Sequence, residues 1–512
     1  MVRYFQTLNV LIFGILILGC SSTKSPVETS VNGETVAIIP KPQVLTHHNG
    51  VYQLPQQNTI SFSGSSEIAA QWLSELLQDA NLQSTILANS KRGNFKLIQD
   101  ADLNGQLGEE GYFLDIDKRG ITIKAAGEVG LFYAIQSLTQ VLPADLKSRS
   151  MDSKPLVLPH LHVEDFPKYS WRGNMIDLAR SFFGVEYLKR HIDRMALYKM
   201  NRLHLHLTDD QGWRIELKSK PLLTEIAGKS AVKNGKSGFL SIEDYKELQD
   251  YATERHVVII PEIDLPGHIY AALVAYPELN CDDLSNLNPK MATPPELFDG
   301  YKVGWSKLCL TDPETYNFVA EVLREVSAMT VGPWLHIGGD EINDDLYETF
   351  VVKADSMVRS FGKIPIGWEE VSKADVSQEL IVQRWNGKTT PLKKSKVIES
   401  ICTSFYFDHA NVTGQEKTNN WCQKSGVSLE DVYNFNDKAD EIIGLEAPVW
   451  TELVVSDAML DNRLWPRLMA VAEIGWSSSH DDFKEFSKRL SLHKSRLEAL
   501  EIDFYPAPEL NP

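Results

Sequence analysis

Four short stretches hold the residues that could do chemistry: "HLHLTDDQGW" (204–213), "EIDLPGH" (262–268), "LHIGGDE" (335–341) and "APVWTE" (447–452). The sharpest feature among them is the adjacent pair Asp340–Glu341. Neighbouring carboxylates repel, so such a pair reads as an ordinary strand end, a cation site, or two halves of one reaction. His204 and His206 fall on one face of a strand, with Asp209 and Asp210 just beyond, which raises the question of a metal. There is no H-E-x-x-H and no Cys/His spacing of the zinc type, so no metal is expected and the histidines read as buried strand residues.

A glycosidase usually takes its two carboxyl groups from separate strands, about 5 Å apart for retention and about 6.5–9.5 Å for inversion. Adjacent residues at a strand end point different ways and make a poor pair across one bond. They suit two atoms of one substrate. One carboxyl would protonate the leaving oxygen while the other holds a substrate group that itself attacks. The acetamido group of a 2-acetamido sugar can do this, because its carbonyl oxygen reaches the anomeric carbon and a carboxylate on its N–H stabilises the oxazolinium formed. The two acids then need different protonation states, and their repulsion drives the two pKa values apart.

These residues need a scaffold. From about residue 165, short apolar strands alternate with helical patterns. Strands are expected at 174–179, 202–208, 257–263, 334–340, 364–368, 380–385, 399–406 and 442–448, with helices at 185–200, 241–256 and 312–329. Eight strands alternating with helices predict a (β/α)8 TIM barrel, an α/β fold, over 165–512. A doubly wound open sheet is the alternative, but no Gly-rich dinucleotide loop occurs, and no cofactor is expected. A barrel works at the C-terminal ends of its strands. Gathered there are Arg180, Asp209, Asp210, Asp264, His268, Asp340, Glu341, Trp368, Trp385, Tyr406, Asp408, Trp450 and Glu452. Indoles stack on sugar rings, while carboxylates and an arginine grip hydroxyls. Ahead of the barrel, 38–164 reads as a small α+β domain, with a strand at 58–64, a helix at 67–80, a hairpin at 111–127, a further helix stopped by Pro143, and a linker around 147–159.

The chain has 512 residues and a formal net charge of -18. Phosphates would repel it, so nucleic acid is excluded as a partner. Residues 1–19 read as a signal peptide. Their end, "ILGC" (17–20), resembles a bacterial lipoprotein cleavage box with Cys20 as the lipidated residue. The polar stretch 20–37 reads as a flexible tether. The expectation is a protein anchored by lipid in a bacterial cell envelope, on the periplasmic side or the surface of the outer membrane. Cys281, Cys309, Cys402 and Cys422 remain, and three pairings are open. The shorter loops favour Cys281–Cys309 and Cys402–Cys422.

The four motifs, in this order and together with "WRGNMIDLARSFF" (171–183), resemble the family 20 glycoside hydrolases, the β-N-acetylhexosaminidases. The likeness runs from about Ile38 to Tyr505. It implies an exo-acting, retaining enzyme that removes terminal GlcNAc or GalNAc from β-linked N-acetylhexosamine glycans or chitin oligosaccharides. Substrate assistance through an oxazolinium is the mechanism known for that family, so the reading of the adjacent acids is not independent of it. By motif, Glu341 resembles the general acid/base, Asp340 the residue that orients the acetamido nitrogen, and Tyr406 the partner of the acetamido oxygen. Trp368, Trp385 and Trp450 resemble the aromatic box, Arg180 and Glu452 the clamps on the 3- and 4-hydroxyls, and Asp408 a partner of the 4/6-hydroxyl region. Asp209 and His268 resemble the groups that stand behind Glu341, and Trp421 resembles part of the leaving-group site. Two alternatives stay open: a lipid-anchored glycan-binding protein without catalysis, and a related barrel glycosidase that releases a disaccharide.

Overall fold

A computed structural model describes residues 36–511, apart from 65, 91, 149–153, 391–393, 416, 437–440 and 481. The signal segment, Cys20 and nearly all of the tether lie outside the described residues. No helix among the described residues is long and apolar enough to cross a membrane.

The N-terminal part is a seven-stranded sheet in the order Val44–Gln53, Val157–Asp165, Tyr112–Asp117, Gly120–Ala125, Phe95–Gln99, Gln57–Phe62 and Gln83–Ala88. The hairpin expected at 111–127 forms, with Tyr112 opposite Ala125 and Asp117 opposite Gly120. Helices Glu67–Asp79 and Glu128–Val141 lie side by side on the sheet and bury Leu73, Leu77, Leu131 and Leu138. One expectation fails. The linker read at 147–159 runs into a real strand, Val157–Asp165, which pairs on both sides. Pro159 sits opposite Val51, where the pairing with Val44–Gln53 shifts register. Such an irregularity accommodates a residue that cannot donate.

The barrel closes from eight parallel strands: Trp171–Asp177, Arg202–His206, Val258–Glu262, Trp334–His336, Ile364–Trp368, Ile381–Arg384, Val397–Glu399 and Ile442–Val449. Each has its counterpart in the sequence pattern. Two stop four or more residues earlier than expected. The fourth ends at His336 because Gly338 and Gly339 take φ of 66° and 101°, outside strand geometry. The seventh ends at Glu399. Its expected continuation becomes the single helical turn Cys402–Phe405, started by the bond from Cys402 N–H to the Trp385 carbonyl. Tyr406 therefore comes from a loop, not from a strand.

Helices Val185–Leu197, Ile242–Glu254 and Pro313–Met329 cover the barrel. Ser241 and Asp244 form a reciprocal capping box on the second, and Asp312 accepts from Glu314 N–H at the start of the third. Inside the barrel, Trp171, Ile260, Ile366, Ile381 and Ile398 make an apolar bottom layer. Met175, Trp368, Trp385, Cys402 and Tyr406 cluster at the opposite end. Disulfides join Cys281 to Cys309 and Cys402 to Cys422, the pairing that loop length favoured.

Candidate active site

A cavity of about 300 Å³ opens at the C-terminal ends of the barrel strands. Its wall contains Arg180, Asp209, His268, Asp340, Glu341, Trp385, Tyr406, Asp408, Trp421, Trp450 and Glu452, all expected from the sequence. Trp368 is the exception. It is 1% exposed and lies behind Trp450, ring centres 6.0 Å apart, with its indole N–H donated to Glu262 at 2.9 Å. The fifth strand ends with that side chain turned into the barrel rather than onto the cavity wall.

The two acids leave the chain in different directions. Gly338 and Gly339 turn the strand end, and Glu341 itself takes φ 57°, a left-handed conformation uncommon for a residue other than glycine and recurrent where function fixes the backbone. Asp340 points inward, its side chain 13% exposed, while that of Glu341 stays 37% exposed toward the mouth. Asp340 Oδ1 is buried with no hydrogen-bond partner among the described residues. The glycines make this turn possible by admitting another side chain, not by opening room for ligand. A Cβ on Gly338 would lie 1.7 Å from Asp264 Oδ1, the same oxygen that accepts Gly339 N–H at 3.1 Å. Asp264, one of the strand-end acids expected from the sequence, thus props the acid turn and also reaches the cavity wall.

His268 faces both acids from across the cavity, with Nε2 3.6 Å from Glu341 and 3.9 Å from Asp340, and Nδ1 3.5 Å from Asp209. Asp209 is held by Arg180 at 2.7 Å and by His206 at 2.9 Å. Arg180 also meets Asp177 at 3.2 Å and lies 5.0 Å over the Trp450 ring. Asp177 ties the first and eighth strand ends together, accepting from Ala179, Arg180 and Thr451 N–H. That tie sets Arg180 beside Trp450 and Glu452. Opposite them, Trp385, Tyr406 and Trp421 meet ring to ring at 5.7–6.3 Å.

Burial dominates the titration of the carboxyls. It pushes Asp340 up to about 6, against the pull of His268 and with help from Glu341. Burial also raises Glu452 to about 7, opposed by Arg180, and Glu370 to about 7, reinforced by Asp340. For Asp209, burial is outweighed by Arg180 and then His268 and His206, which hold it well below the carboxylate range. Burial would discharge His268, but Asp209, then Asp340 and Asp264, keep its pKa well above the ordinary imidazole value. Among the described residues, three buried groups have donor atoms close enough to share a cation: His204–Glu262–His336, His206–Glu262–Asp264 and Asp209–Asp264–His268. In each, imidazole–carboxylate pairs already occupy the charge that a cation would neutralise.

Sequence reading missed Tyr301, Val303 and Asn419 on the cavity wall, and Glu370, which accepts the Trp385 indole N–H at 3.0 Å. The first two had a signal: the segment between helices Tyr270–Ala275 and Pro313–Met329 is long and holds no strand, the kind of barrel loop that carries function. Glu370 sits in "WEE", a second adjacent acid pair at a strand end.

Comparison with known proteins agrees with this geometry. The model of the glycosyl hydrolase family 20 catalytic domain matches residues 169–349 and 343–479, and that of the family's domain 2 matches 35–166. A β-hexosaminidase of Porphyromonas gingivalis is 30% identical over 96% of this chain and 67% of its own length. A β-N-acetylhexosaminidase of Cellulomonas fimi is 34% identical, over 79% of this chain and 82% of that protein. Among solved structures, the Streptomyces plicatus N-acetyl-β-hexosaminidase in complex with thio-NAglucal superimposes with a TM-score of 0.84 at 35% identity, covering 92% of this chain and 97% of that one. A Bacteroides fragilis β-N-acetylhexosaminidase gives 0.79 at 26% identity, covering 93% and 99%. With both domain models matched in order along its length and a barrel mouth built from the residues described, this chain belongs to glycosyl hydrolase family 20, the β-N-acetylhexosaminidases.

Proposed function

We propose that the protein removes terminal GlcNAc or GalNAc from β-linked glycans or chitin oligosaccharides, with retention, using the substrate's own acetamido group as nucleophile. The observation that carries this is the divergence of Asp340 and Glu341: one carboxyl is buried with a free oxygen, its neighbour half-exposed at the mouth. Glu341 protonates the leaving oxygen and later takes a proton from water. Ionised Asp340 accepts the acetamido N–H and balances the oxazolinium charge. Tyr406 donates to the acetamido oxygen, and Trp385 and Trp450 wall the sugar ring. Arg180, Glu452 and Asp408 take the hydroxyls farthest from the scissile bond, which makes the bound sugar a chain end. Asp209 and His268 hold Glu341 in register, and Trp421 receives the leaving sugar.

The test is turnover of chitobiose and aryl β-GlcNAc. Glu341→Gln should slow chitobiose hydrolysis by about 10²–10⁴-fold, with a smaller loss on a highly activated aryl glycoside. Asp340→Asn should cost at least about 10²-fold on both. Normal turnover by the Asp340 variant would sink substrate assistance, and release of disaccharide alone would favour the related glycosidase. We further propose attachment to the bacterial envelope through lipid on Cys20. Cys20→Ser should abolish palmitate labelling and move the protein to the soluble fraction; unchanged membrane retention would refute the anchor.

A further inference from the structure

Beneath the cavity floor the barrel holds a column of charge. His268 Nδ1 faces Asp209 Oδ1 at 3.5 Å, and Asp209 Oδ2 lies 2.9 Å from His206 Nε2. His206 Nδ1 lies 2.6 Å from Glu262 Oε2, which also meets His204 Nε2 at 3.1 Å. His204 Nδ1 then lies 2.8 Å from Glu446, and Glu446 takes the Trp171 indole N–H at 2.9 Å at the bottom of the barrel. Imidazoles and carboxylates alternate along this line. Glu262 and Glu446 are wholly buried, and neither reaches the cavity wall.

Hydrogen-bond arithmetic assigns the protonation of His206, the histidine behind Asp209. Both nitrogens of His206 face carboxylates, and an imidazole donates from both only as the cation. Glu262 is the group that makes this so. Its second oxygen accepts the Trp368 indole N–H at 2.9 Å and lies 3.1 Å from His336 Nδ1. That same His336 nitrogen accepts Gly338 N–H at 3.0 Å, at the root of the acid turn. One buried carboxylate therefore backs the Asp209 side of the site through His206, while His336 Nδ1, accepting from Gly338, has no proton for Glu262 and braces the acid turn by itself.

A buried charge of this kind is expensive. Well-packed apolar residues in its stead are often neutral or stabilising, and barrel interiors are ordinarily filled with branched aliphatics. We propose that Glu262 is a positioning residue for the reaction: it holds His206 as an imidazolium, and through His206 and Asp209 it fixes the orientation and charge that His268 presents to Asp340 and Glu341. This rests on the functional reading above. His206 is faced by Glu262, Asp209 and Asp177 and by the edge of the Trp450 ring. Asp340 is faced by His268, Glu341, Glu262, His206, Asp264, Glu370, Tyr347 and Tyr406. Glu262 and the His206 cation act on Asp340 in opposite directions, the carboxylate against its ionised form and the cation for it, so the pair leaves Asp340 nearly undisturbed while the His206 charge orients Asp209.

The experiment replaces Glu262 by Gln, which keeps an acceptor for His206 but no charge. Chitobiose turnover should fall roughly 10–100-fold, the range typical of groups that orient a reacting residue from behind. KM should change little. ¹⁵N-histidine NMR of the folded variant should show His206 as a neutral tautomer at pH 7. A merely structural Glu262 would lower Tm and the active fraction but leave His206 doubly protonated, and an unchanged His206 signal in a folded variant overturns the proposal. If Glu262→Gln does not fold, ¹⁵N-histidine NMR of the wild-type protein decides. His206 should be doubly protonated at pH 8, and a neutral tautomer at pH 7 overturns the proposal. Wild-type protein that leaves chitobiose and aryl β-GlcNAc intact would sink the functional reading instead, and the NMR measurement stays independent of turnover.

Discussion

Asp340 and Glu341 are neighbours in the chain with opposite surroundings, and the pH dependence follows from that contrast. In the proposed reaction Asp340 acts ionised, and burial raises its pKa to about 6. Activity should therefore rise through about pH 6 as the proton leaves, and kcat/KM should fall about tenfold per pH unit well below it. A profile flat down to pH 4.5 would refute the role of Asp340. Glu370 makes a second test at this scale, on stability. Its pKa is raised from 4.5 to about 7, first by burial and then by Asp340. A raised acid contributes stability that is full below its unfolded pKa and is lost as pH rises through the folded one. The protein should therefore lose stability between about pH 4.5 and pH 7 in part through Glu370. Glu370→Gln, which keeps an acceptor for Trp385, should remove on the order of 3 kcal/mol of that loss. Urea denaturation of both proteins at pH 5 and pH 8 measures it, and parallel losses would count against it.

At the scale of elements, the site depends on where strands stop. The fourth strand gives way to Gly338–Gly339, and the resulting turn is wedged against Asp264 from the third-strand loop. Gly338→Ala would drive a methyl into the Asp264 carboxyl while holding a left-handed φ of 66°. Gly362, just past the helix Tyr347–Ser360, also has a positive φ, 77°, but a Cβ there meets nothing within 4 Å. The two substitutions separate backbone preference from crowding. Gly362→Ala should cost about 1–2 kcal/mol and spare activity. Gly338→Ala should cost more and abolish turnover by moving Asp340 and Glu341. Equal effects on stability, with activity intact in both, would show that Asp264 does not set the turn.

At the scale of the whole molecule, the small domain is fastened to the bottom of the barrel by buried charge. Lys199, after the first barrel helix, meets Asp165 at 2.8 Å, both wholly buried. Asp165 also accepts from Tyr112 at 2.6 Å and Trp476 at 2.7 Å. Arg172 reaches back to Glu110 and packs over Trp476. Helix Glu128–Val141 lies against Val185–Leu197. Removing Asp165 strands a buried ammonium, so Asp165→Ala should destabilise by roughly 3–5 kcal/mol. A drop under 1 kcal/mol in denaturant titration would mean that the joint carries no such load.

The sequence by itself determined the eight-strand rhythm, because apolar periodicity and capping are local: Ser241 with Asp244, and Asp312 before Pro313, are readable in any single chain. It also determined most of the cavity wall, since a barrel brings strand ends together wherever they fall in the sequence. Tertiary structure alone decided the rest. Trp368 stands behind the cavity because Glu262, remote in sequence, offers its indole an acceptor. Tyr406 lies on a loop because the Trp385 carbonyl captures Cys402 N–H. Glu262 and Glu446 read as ordinary strand residues until the closed barrel sets them against histidines from other strands. Charge at that depth is a property of what surrounds a residue, and its neighbours there are set by barrel closure, not by chain order.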